Sequence, residues 1–166
     1  MGERLMSVLV LLSALGSGLV GGIFFAFSTF VMGALARLPA PQGISAMQSI
    51  NIVVLNPVFL GAFMGTAALC IIVAIGALLG WAGPHPTLVL AGAALYVIGN
   101  IAVTMAGNVP LNNALAAVEP ASTEGAAVWA RYLSTWTAWN HVRTATGAAA
   151  AACFIIAWRW PAAAPA

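Results

Sequence analysis

The chain has 166 residues, 63% of them hydrophobic and only 5% charged, with a mean hydropathy of +1.04. A soluble domain carries about 25% charged residues, so a water-covered globule is excluded, and so is disorder, which needs the opposite bias. Five arginines, no lysine and a net charge of +2 make no basic patch for nucleic acid; the composition is that of an integral membrane protein.

Four apolar stretches reach the roughly 20 residues that a helix needs to cross a bilayer. The first runs over about 5–35, between Arg4 and Arg37. It stays apolar for too long to be a signal peptide, whose core is roughly 7–15 residues, and is expected to be a mature span. The segment 36–56 follows, with helical character over 44–55. Asn56-Pro57 then either caps a fresh helix or kinks a long one, and the second span covers about 57–81. The third covers about 86–106 and the segment 107–138 separates it from the fourth, at about 139–160. Ser122-Thr123-Glu124 reads as a helix start with an acidic first turn, and nothing prevents that helix from running on to Trp160. The expected fold is therefore an all-α, integral membrane four-helix bundle in a single domain, with helical extensions of spans two and four projecting on one side. Both termini share the other side. Arginines flank both faces, so the positive-inside rule gives no vote and cytoplasmic termini are no more than a preference. Gly18/Gly22, Gly61/Gly65 and Gly76/Gly80 have the spacing of close helix contacts, which suits a compact bundle and leaves room for a homo-oligomer.

The sequence offers little for metal or redox chemistry. Cys70 and Cys153 form no CxxC and read as small buried residues. His85 lies in the turn WAGPHP and His141 at the opposite membrane face, so the two cannot share a haem or a metal. No metal site and no cofactor are expected.

Asparagine is the unusual residue. Asn51, Asn56, Asn100, Asn108, Asn112, Asn113 and Asn140 all fall on or near one half of the bundle, and polar groups at membrane depth face the interior unless they are paired. Asn100, Thr104 and Asn108 share a helical stripe, as do Met47, Gln48, Asn51 and Leu55; such amides either line a site or tie helices together. In the last helix Trp129, Tyr132, Trp136, Trp139, Asn140 and Arg143 fall within about 80° of one another, with Ser134, Thr137, His141, Thr144 and Ala148 opposite. The small His141 face is expected inside, with the tryptophans and Arg143 forming an interfacial belt. The reverse arrangement places Arg143 in an aromatic pocket fit for an anionic or enolic ligand.

The run GGIFFAFSTFVMGAL (21–35), AMQSIN (46–51) with Asn56-Pro57, GNVPLNNAL (107–115), W-x-x-Y (129–132) and WNHVRT (139–144) resembles the anthrone-oxygenase-like family of small four-helix membrane proteins, although Gly33 stands where many members carry proline. The family's fungal polyketide-pathway members oxidise anthrones to anthraquinones. The resemblance implies an oxygenase for a small lipophilic anthrone- or quinone-like molecule, needing no metal or flavin because the substrate carbanion reacts with oxygen directly. His141 would then be the general base, amides of Asn100, Asn108, Asn112 or Asn140 would hold the enolate oxygen, and Phe24, Phe27 or Trp136 would stack on the ring. The catalytic candidates are His141, Asn140 and Arg143. The substrate-binding candidates are Asn51, Gln48, Asn100, Asn108, Asn112, Trp136, Trp139 and Phe27. The alternatives are a non-catalytic membrane protein that binds a lipid or partner and, more remotely, a transporter.

Overall fold

A computed structural model describes residues 2–159, so Trp160, the expected end of the fourth span, lies outside the described residues. The described chain is helical, without strands, and forms five helices. Helix α1 runs over Gly2–Ala26, widens into a π-helical turn at Phe27–Val31 and closes with Met32–Leu35. Helix α2 covers Ala40–Val53 and α3 covers Pro57–Leu78. Helix α4 begins as Pro86–Tyr96, passes through two π-helical segments, Val97–Ala102 and Thr104–Asn108, and ends as Val109–Ala116. Helix α5, Thr123–Arg159, is the longest, at 37 residues.

Local chemistry accounts for the helix starts. The Asn56 side chain accepts from the backbone N–H of Val58 at 3.1 Å and of Phe59 at 3.0 Å, and Pro57 occupies the first turn, where its missing N–H costs nothing. Asn56-Pro57 thus opens a new helix rather than kinking an old one. Ser122 Oγ accepts from Gly125 N at 2.9 Å and caps α5 in the same way. Between α3 and α4, Gly80 turns the chain with φ +82°, a conformation that glycine adopts without strain. Helix α4 does not end near 106, where the apolar run thins. It continues to Ala116, because Pro110 follows directly on a wide π turn that already departs from the regular backbone ladder.

Helices α1, α3, α4 and α5 pack in a ring, each against its two neighbours, and α2 lies across one end against α5 and the last turns of α4. Three helices are long and apolar enough to cross a membrane: Glu3–Leu35, Pro57–Leu78 and Pro86–Ala116. In lipid, helices associate through close packing and hydrogen bonds rather than through hydrophobic expulsion from water, and small residues provide the close packing. A Cβ on Gly147 would sit 3.0 Å from Gly21 Cα, so α1 and α5 touch backbone to backbone. A Cβ on Gly99 would meet Thr146 side-chain atoms at 2.4 Å, which brings α4 against α5. The GxxxG spacings do not mark most of these contacts: Gly22, Gly61, Gly65 and Gly80 have open space where a Cβ would be, whereas Gly76 is packed against Met6.

Two cores fill the ring. The one nearer the termini contains Met6, Val10, Cys70, Val73, Val89 and Phe154, and extends up to Phe24, Phe63 and Tyr96. The other, under α2, contains Ile44, Met47, Leu115, Trp129, Tyr132 and Trp136. Cys70 is buried, Cys153 is half-buried, and both are free thiols.

Candidate active site

Helix α5 carries the site, and its orientation reverses the one expected. Arg143 is 4% exposed and Asn140, Tyr132 and Trp136 are buried, while His141 faces the outside of the bundle. Residues two apart on an α-helix point about 160° from each other, so burying Arg143 turns His141 out. The aromatic face takes the interior because its rings have partners there. Trp129 stacks on Tyr132 at 5.7 Å and Tyr132 on Trp136 at 5.6 Å, and Phe27 of α1 tilts against Trp136 at 5.8 Å.

The Arg143 guanidinium lies where the two cores meet, 4.0 Å from the centre of the Phe24 ring and 5.1 Å from that of Trp136. Desolvating a cation is costly, and π faces offset part of that cost. Its hydrogen-bond partners among the described residues are neutral: Nη1 donates to Thr104 Oγ1 at 3.2 Å and Nη2 to Asn140 Oδ1 at 2.7 Å. Its Nε–H is buried without an acceptor. The acids of the chain, Glu3, Glu119 and Glu124, are exposed.

The α4 stripe forms a ladder against α5. Asn100 Nδ2 donates to Thr146 Oγ1 at 3.3 Å, Thr104 accepts from Arg143, and Asn108 Nδ2 donates to the Trp136 carbonyl at 3.1 Å. The side-chain oxygens of Asn100 and Asn108 are buried without a partner. One turn further, Asn112 Oδ1 accepts from both Tyr132 Oη and Trp136 Nε1 at 2.8 Å, which fixes the aromatic column, and Asn51 Nδ2 reaches Tyr132 Oη at 3.4 Å. Burial is the largest influence on the Tyr132 phenol and pushes it above its ordinary value, against the opposing pull of Asn51 and Arg143; it remains a neutral donor to Asn112.

The expected site residues therefore divide. Arg143, Asn140, Asn108, Asn112, Asn51, Trp136 and Phe27 come together, and Asn100 lies one turn deeper on the same ladder. Gln48 instead donates to the Leu115 and Val118 carbonyls at 2.8 and 3.1 Å and holds the end of α4. Trp139 is 43% exposed and covers Gly107, where a Cβ would meet its ring at 2.8 Å. Ser28 was not anticipated: its hydroxyl meets Thr144 at 2.9 Å and Asn140 at 2.7 Å from the wide turn of α1. A serine in an apolar run gives no signal of such a partner 112 residues away.

Two clefts lie away from Arg143. One of about 260 Å³ opens between Met6, Trp81 and Trp158 near the termini, and an apolar groove runs over Gly61 and Gly65 between α1 and α3.

No curated protein and no solved structure matches the chain. The family model described as anthrone oxygenase matches residues 58–153, a stretch that holds the whole α4–α5 ladder and Arg143 but not Phe24, Phe27, Gln48 or Asn51. That match covers more than half of the sequence, and the chain belongs to the anthrone oxygenase family.

Proposed function

We propose that the protein is a multi-pass membrane oxygenase for a small, planar, lipophilic ketone of the anthrone or quinone-related class, working without a metal or flavin, and that Arg143 holds the substrate's oxygen as it becomes an enolate. The observation that carries this reading is a buried guanidinium with neutral partners and an unused N–H, set against Phe24 and Trp136. A buried cation that lacks a counter-ion is costly to keep and marks function in a membrane. The asparagines are less suited to the oxyanion: Asn140 commits both amide N–H groups to α1, and Asn100 and Asn108 each donate one to α5.

In such a reaction the ketone loses a benzylic proton, and the negative charge gathers on the carbonyl oxygen beside Arg143, where a preorganised cation in a dry site stabilises it strongly. The proton is released to bulk water, outside the dry cluster. The electron-rich carbanion then reduces O2; one oxygen atom becomes the new carbonyl, and the other leaves as water with the two hydrogens lost from the carbon. His141 has no part in this scheme, because it faces outward. The cluster is close-packed, so a ring is admitted by parting the Phe27–Trp136 contact. The apolar half of α5 supplies a fourth membrane crossing, which puts both termini on one face.

The test is oxygen uptake and quinone formation by the purified protein with anthrone, corrected for spontaneous oxidation. Wild-type protein exceeds the background and Arg143→Gln does not; equal rates for the two end the reading. The packing of the amides against protein groups favours one rival, a non-catalytic protein that binds a lipophilic molecule. Ligand binding without any oxygen uptake would establish it.

A further inference from the structure

Arg143 is held by a residue whose bonding leaves it little freedom. Asn140 is 0% exposed. A main-chain carbonyl can only accept, so the amide nitrogen must be the atom that faces Phe24 O, at 2.7 Å; it also donates to Ser28 Oγ at 2.7 Å. With both N–H groups committed to α1, Oδ1 is left for Arg143 Nη2, one helical turn away on α5. An aspartate here would accept from Arg143, but it would place an oxygen against the Phe24 carbonyl and would cancel the charge. An alanine would leave the guanidinium tethered by Thr104.

Resting on the reading of Arg143 as the partner of the substrate oxygen, we infer that Asn140 is a positioning residue: it anchors the guanidinium to the α1 backbone, beside Phe24 and Trp136, while leaving its positive charge whole for an oxyanion. An amide donates to α1 and accepts from Arg143 without compensating its charge. The wide turn at Phe27–Val31 contributes by presenting Ser28 to the same amide.

The test uses the full chain in nanodiscs and a monohydroxyanthraquinone, a planar phenol whose phenol and phenolate forms differ in colour. A neighbouring cation favours the phenolate by roughly one to three pH units, and each unit is a tenfold change in the ratio of the two forms. Bound to wild-type protein, the probe is expected to hold its phenolate colour at least tenfold more strongly than in empty nanodiscs. Asn140→Ala is expected to return the bound probe to the phenol form. If Asn140 is only a tie between α1 and α5, binding weakens but the colour of the bound probe does not change, and the inference is overturned. Thr104→Asp provides an independent arm should Asn140→Ala fold poorly, since it sets a carboxylate beside Nη1 and leaves the Asn140 bonds in place. Loss of the phenolate colour there supports the need for an uncompensated charge, and its retention overturns it. Arg143→Gln separates the two levels. A phenolate retained in that variant, or no binding to wild-type protein, removes the proposed function together with the inference; phenol in Arg143→Gln with phenolate in Asn140→Ala removes the inference alone.

Discussion

The two ends of the bundle are built from the same helices by different means. Near the termini the interior is mostly aliphatic, with Val73, Val89 and Cys70 against Phe154. Under α2 the interior is a column of three stacked rings, of which Tyr132 and Trp136 are tied by their polar edges to Asn112 and Tyr132 also to Asn51, and Arg143 stands where the column meets Phe24. The first arrangement needs volume and shape, and tolerates swaps that conserve both. The second needs particular donors and acceptors, because each buried polar atom left without a partner is costly. The buried asparagines and Arg143 stand toward the α2 end, where one charge is left uncompensated.

The sharpest way to break that contrast is to exchange one residue at each end. Arg143→Gln keeps a polar side chain but removes the charge, and is expected to lower the rate of anthrone oxidation by roughly 100-fold or more, the cost of losing a donor to a developing oxyanion. Val73→Ala at the other end is expected to destabilise the bundle by about 1–3 kcal/mol with no change in rate per folded molecule. Oxygen uptake set beside thermal unfolding in detergent checks both. If Val73→Ala impairs catalysis as much as Arg143→Gln does, the two ends are not functionally distinct.

Two further substitutions probe how the polar end is held. Gly99→Ala forces a methyl into the β-branched Thr146 side chain, which has little room to turn. It is expected to cost about 1–3 kcal/mol through overpacking and to lower the melting temperature, whereas Gly61→Ala, on an open face, is expected to leave it unchanged. Asn112→Ala strands the Tyr132 hydroxyl and the Trp136 indole N–H and is expected to cost about 1–2 kcal/mol, with a smaller loss of rate than Arg143→Gln. Near-ultraviolet circular dichroism reads the loosening of the stacked rings directly.

How far the sequence reveals this arrangement depends on the range of the interaction. Asn56 before Pro57 and Ser122 before Glu124 mark helix starts because a cap is satisfied within three residues. Asn100, Thr104 and Asn108 are visible as one stripe because four-residue spacing nearly survives even a π turn. The inward face of α5 is not legible in this way. Helical geometry separates His141 from Arg143 by angle alone, and general costs favour burying an imidazole over a guanidinium. The balance is tipped by partners distant in the chain: the rings of Phe24 and Phe27, Thr104, and the carbonyl that anchors Asn140. The close glycine contacts are hidden for the same reason, since what matters at Gly99 is Thr146 and not a second glycine four residues away.

The smallest expected effect belongs to the residue that simple chemistry singles out first. His141 has a side chain suited to proton transfer near neutral pH, and a benzylic proton must be removed, so His141→Ala should abolish activity if it is the base. Its outward position predicts that His141→Ala oxidises anthrone at a rate within about twofold of wild type, a difference of about 0.4 kcal/mol in the barrier. The pH–rate profile supplies a second check. An imidazole acting as base would leave its own step in the wild-type profile, and the variant would lose that step. With Arg143 as the group that matters, the profile of the variant should overlay that of wild type. A flat overlay assigns the acidity of the substrate to the buried cation; loss of the step together with the rate returns the proton to His141 and requires α5 to rotate during turnover.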